Sequence, residues 1–160
     1  MMSDVQQLPS PGDPAGEKPL EGIAGWLIIV AIGQIAGPIA FILGTRSLFA
    51  SLPEGTARDM PVAFLGAVLL ELTVLGLLVF TAFLFFNKKS AFPKLFIATC
   101  ILNLLEPLAL ALWLKAVVGG NVLAYVDTAT VGQYVLSCVV AAIWISYVVN
   151  SVRVRNTFVH

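Results

Sequence analysis

The sequence predicts an all-α integral membrane protein, a four-helix bundle with both termini cytoplasmic and a disordered N-terminal tail. Composition points there first: 59% of residues are hydrophobic and 11% charged. A soluble domain of this length needs roughly 25% charged residues, because its surface must face water. The apolar residues also gather into four stretches, 23–43, 62–86, 94–118 and 131–149. Each is near or above the roughly 20 helical residues that span hydrocarbon. Alternating strands of about ten residues, the mark of a membrane β-barrel, are not seen.

Residues 1–19 (MMSDVQQLPSPGDPAGEKP) hold Pro, Gly and acids with almost nothing to bury, so a disordered tail is expected. The tail has no basic n-region and the stretch after it is too long for an h-region, so the first helix should stay in the membrane. Residues 20–160 then form the transmembrane domain.

The first stretch is followed by Gly44, read as its stop, and carries Pro38 inside it. It also holds Gly33 and Gly37 in a GxxxG spacing, with Ala36 and Ala40 beside them. Such small residues let helices approach closely, either within the bundle or in a dimer. Thr45–Met60 follows as a solvated loop with balanced charges, Arg46, Glu54, Arg58 and Asp59. Pro61 introduces the second stretch, Pro93 the third, and Gly119–Gly120 ends the third. The mildly apolar loop Asn121–Thr130 can be read as solvated chain or as a short helix along the interface.

Lysine and arginine set the orientation. Six of them (Lys18, Lys88, Lys89, Lys94, Arg153, Arg155) fall on the side of the termini, and three (Arg46, Arg58, Lys115) on the other. The positive-inside rule therefore places both termini in the cytoplasm. Trp26 and Tyr147 would sit near the inner interface and Trp113 near the outer one. Net charge is zero, with nine basic and nine acidic residues, so no global field draws in nucleic acid. Cys100 and Cys138 lie inside apolar stretches at different depths and are expected as free, buried thiols.

Two carboxyls stand out. Glu71 and Glu106 each lie near the middle of a spanning stretch, where an ionisable group is costly and marks a site by default. They have a structural reading, uncharged acids tying helices together at about 1 kcal/mol. They also have a functional one, a proton or cation site on a polar cavity. Pro38 deprives the Gln34 carbonyl of its helical donor, and Pro107 does the same to Asn103. Gln34, Glu71, Asn103 and Glu106 thus form a candidate intramembrane polar cluster, unless they merely satisfy the broken backbone. On the cytoplasmic side Lys88, Lys89, Lys94, Arg153, Arg155 and Phe158 are candidates for contact with anionic headgroups, at about 1 kcal/mol per charge, or with a protein.

Catalytic spacings are absent: there is no C-x-x-C, H-E-x-x-H, phosphate loop or G-x-S-x-G, and the one histidine is the last residue. No catalytic residue, metal site or cofactor is therefore expected, and the protein is read as a non-enzyme.

Three segments carry a family likeness: Leu20–Leu27 (LEGIAGWL), Phe85–Ile97 (FFNKKSAFPKLFI) and Ile143–Val159 (IWISYVVNSVRVRNTFV). The last, with Trp144, Tyr147, Ser151, Arg153, Val154, Thr157 and Phe158, is the most specific. Together they resemble the bacterial DUF2569 family, small four-helix inner-membrane proteins of unknown function. The family usually has lysine where Arg155 stands. The resemblance extends to Glu71, since some members carry an acid in the second helix, and does not extend to Glu106. It implies a fold and an inner membrane, with no activity.

The expectation that follows is a non-catalytic accessory or interaction subunit, in contact with the bilayer and with a membrane-protein partner or another copy of itself. The alternative is a small proton- or cation-coupled transporter using Glu71 and Glu106.

Overall fold

A computed structural model describes residues 22–50, 54–119 and 128–159. The expected tail, most of the 121–130 loop and His160 lie outside the described residues. The described chain forms helices α1 (Trp26–Ala50), α2 (Thr56–Asp59), α3 (Pro61–Phe86), α4 (Phe92–Val118), α5 (Thr128–Asn150) and α6 (Val152–Thr157). Four of these are long and apolar enough to cross a membrane. No strand occurs among the described residues.

Several helix boundaries have a local cause. Pro61 opens α3, where its missing N–H costs nothing. The end of α3 is a Schellman motif: Lys89 N–H donates to Leu84 O and Lys88 N–H to Phe85 O, both at 3.0 Å. That motif needs a left-handed residue, and Lys88 supplies it at φ 51°. Pro93 lies in the first turn of α4. Ser151 caps α6, accepting the Val154 N–H on its Oγ at 3.3 Å.

The end of α1 differs most from expectation. Gly44 does not stop α1, which continues through Thr45, Arg46 and Phe49 to Ala50. Tertiary contacts hold the added turns: Phe49 packs edge-on against Phe64 of α3 at 5.4 Å, and Thr45 bonds to α3. Twenty-five residues of helix span about 37 Å, more than the roughly 30 Å of hydrocarbon. The extra length leaves room for Arg46 outside the apolar layer.

The long helices pack as a row. α3 contacts α1 and α4, and α4 contacts α5. The core sits where both described chain ends meet the α3–α4 turn, hereafter the terminal end. There Leu27, Val30, Leu84, Phe85, Phe92, Phe96, Val148, Val154 and Phe158 form one buried cluster. Phe92 lies 4.4 Å from Phe158 and 5.0 Å from Phe85, ring centre to ring centre. Away from that end buried apolar side chains are few and small (Ala63, Ala67, Val74). Isoleucine and leucine residues such as Ile32, Ile39, Leu69 and Leu112 face outward, as a lipid-facing surface requires.

Candidate functional site

The two glutamates come together. α3 buries Glu71 at 6% exposure, and Thr45 of α1 donates its hydroxyl to Glu71 Oε2 at 2.7 Å. From α4, Glu106 faces the cavity that Glu71 also lines. The Thr45 bond ties α1 to α3 about 15 Å along α3 from its start at 1.5 Å per residue. Both carboxyls open on a cavity of about 480 Å³, walled by Phe41, Thr45 and Leu48 on one side and Pro107, Leu110 and Leu114 on the other. On the far side of Thr45 a smaller hollow of about 260 Å³ joins Glu71 to Arg46.

Gln34 and Asn103 sit elsewhere. They line a cleft of about 600 Å³ between α1 and α5, floored by α3 and α4. The expected cluster of four thus divides into an acid pair and an amide-lined cleft, with Phe41 bordering both. Distance along α1 explains the place of Gln34, while Asn103, only three residues before Glu106 on α4, lines the other cavity. Gln34 is eleven residues from Thr45, about 16 Å of rise, so α1 cannot bring both to Glu71.

The cleft carries other polar groups that the sequence did not single out. Thr81 and Thr99 are buried and their hydroxyls meet at 2.9 Å, joining α3 to α4. Thr81 donates to Leu77 O at 2.7 Å, which leaves Thr99 as the donor across the interface. Asn103 donates its amide to Thr99 O at 2.9 Å. Gln133 and Ser137 of α5 line the opposite wall. Below them Tyr134 donates to Leu104 O at 2.9 Å, one residue past the carbonyl that Pro107 leaves without a helical donor. Threonine and tyrosine alone in an apolar stretch give no signal; only the pairing reveals them.

On α1, Gly33 and Gly37 have nothing within 4 Å of where a Cβ would stand. Their GxxxG is not used for packing among the described residues. Gly66 of α3 is different: a methyl there would strike the indole of Trp113, which lies across the helix and donates to Ala63 O at 3.2 Å.

At the terminal end Lys88, Lys89, Lys94 and Arg155 are exposed and Arg153 is half-buried. Phe158 departs from the contact role expected for it. Only 5% exposed, it wedges between Phe85 and Phe92 and belongs to the core. Its neighbour Thr157 is also buried and donates to Gly22 O at 3.4 Å, joining the last helix to the chain ahead of α1. The cause is the Ser151 cap, which turns α6 back so that Val154, Thr157 and Phe158 face the bundle. Both cysteines are free and partly buried.

No group of three or more His, Cys, Asp or Glu among the described residues could hold a metal ion. No curated protein and no solved structure matches the chain. A family model described as "Protein of unknown function (DUF2569)" matches residues 20–159. Those residues include all four long helices and the Ser151–Phe158 closure just described. The chain is a membrane protein of the DUF2569 family.

Proposed function

We propose that this protein is a non-catalytic subunit of the bacterial inner membrane that works by holding a transmembrane helix of another membrane protein. The observation that carries this reading is the chemistry of the α1–α5 cleft. Gln34, Asn103, Gln133 and Ser137 front a space open to the side of the bundle. Acyl chains cannot satisfy amides and hydroxyls, whereas a helix carrying a polar residue can. The open GxxxG face of α1 borders the same cleft through Gly37 and permits close approach. The basic residues of the α3–α4 turn would hold the terminal end at the cytoplasmic face.

A photo-crosslinking residue at Leu136, which lines the cleft, tests the reading against one at Leu69 on the lipid face. A discrete polypeptide adduct is expected from Leu136 alone, and it should vanish when Gln34→Leu and Asn103→Leu are combined. Adducts to lipid only, with a bare monomer recovered in gentle detergent, would refute it.

A second reading, a proton- or cation-coupled transporter, is favoured by the shared cavity of Glu71 and Glu106. Unchanged ion flux in liposomes carrying Glu71→Gln or Glu106→Gln would end it.

A further inference from the structure

The polar groups around the α1–α5 cleft are not equally committed. Thr81 donates its hydroxyl to Leu77 O, Thr99 donates to Thr81, and Ser137 donates to Gln133 O at 3.0 Å. Asn103 commits an amide N–H to Thr99 O. What Asn103 and Ser137 still offer the cleft is chiefly acceptor capacity, on Oδ1 and Oγ. Gln34 and Gln133 differ. Their side chains make no hydrogen bond among the described residues, so each carries unmet donors and an unmet acceptor. No charged residue lines the cleft, and both intramembrane glutamates line the other cavity.

Rise along the helices gives these groups a level. Leu27, Phe92 and Val148 share one core, so α1 and α4 start, and α5 ends, at about the same height. Counted at 1.5 Å per residue from Trp26, Phe92 and Asn150, Gln34 stands about 12 Å from the terminal end and Asn103 about 16 Å. Ser137 stands at about 20 Å and Gln133 at about 26 Å. Gly37 is also at about 16 Å, level with Asn103, and nothing lies within 4 Å of where its Cβ would stand. The closest approach open to a foreign helix therefore coincides with the spare acceptors.

We propose that the helix seated in this cleft presents an uncharged carboxamide, asparagine or glutamine, at the level of Asn103 and Ser137. The proposal rests on the reading of the cleft as a helix seat. A carboxamide brings two N–H donors for Asn103 Oδ1 and Ser137 Oγ, and a carbonyl for a glutamine N–H. A hydroxyl brings one proton only, and an ionised side chain would find no counter-charge on these walls. The level is near the middle of roughly 30 Å of hydrocarbon, where no water can satisfy an unmet amide.

The test uses biotinylated synthetic Leu/Ala transmembrane peptides of about 24 residues, each with one central guest residue, mixed at a fixed peptide-to-lipid ratio with the full chain in liposomes. A photo-crosslinking residue at Leu136 reports capture. The guests are glutamine, leucine and the γ-methyl ester of glutamate, which keeps the carbonyl and lacks the N–H donors. Glutamine should be captured about tenfold more strongly than leucine, from two interhelical hydrogen bonds at about threefold each. The ester should behave like leucine. Ser137→Ala, at an exposed position, and Asn103→Leu should each cut the glutamine gain to about threefold. Circular dichroism of each variant checks that it has folded. Equal capture of all three guests would overturn the carboxamide and leave the helix seat standing. Capture of the ester equal to that of glutamine, or a glutamine gain unchanged in Ser137→Ala, would do the same. Lipid adducts alone, with no peptide captured, would overturn the seat and the carboxamide together.

Discussion

Replacing Phe158 with alanine tests whether the end of the chain is core or contact surface. The ring is 5% exposed and packs on Phe92 at 4.4 Å and Phe85 at 5.5 Å. Its removal empties about 100 Å³, and at about 24 cal/mol per Å³ of unfilled cavity the loss is about 2.4 kcal/mol. Two aromatic pairs lost with it add about 1 kcal/mol. The sum, about 3 kcal/mol, lowers the folded-to-unfolded ratio more than a hundredfold. Transfer from water is left out, because this cluster lies at or within the membrane. Equilibrium unfolding in mixed micelles, followed by circular dichroism, measures the difference. Phe158→Leu should lose about 1 kcal/mol. Val159→Ala, at an exposed neighbour, should change stability by less than about 0.5 kcal/mol. If Phe158→Ala matched the wild type within about 0.5 kcal/mol, the ring would not be a core residue and the wedge argument would fail.

Two further outcomes use the same unfolding assay. Gly66→Ala drives a methyl into the Trp113 indole and should cost about 1–3 kcal/mol. Trp113→Phe should recover part of that loss in the double variant, and purely additive losses would show that the two residues do not touch. Lys88→Gly relieves a side chain held at φ 51° and should stabilise the α3–α4 turn by about 1 kcal/mol. A destabilised Lys88→Gly would show that the lysine side chain, rather than the backbone, carries that turn.

Composition and hydropathy were enough to define the four spans, because a helix that crosses hydrocarbon must be apolar along its length whatever it packs against. The family likeness was legible for a related reason. Ser151, Val154, Thr157 and Phe158 fit one local geometry, a cap followed by residues on one face of a short helix. Their role was not legible. A phenylalanine after two arginines looks like a surface group until α6 is seen to fold it between Phe85 and Phe92.

What the sequence determined by itself was the depth of Glu71 and Glu106, since rise per residue converts position directly into depth along a straight helix. It could not determine which helices face each other, or with what rotation. Tertiary packing brought the two carboxyls to one cavity and added Thr45 from a turn that Gly44 was expected to end. It also placed Gln34 and Asn103 in a separate cleft. Depth is a property of one helix, whereas a shared cavity is a property of several.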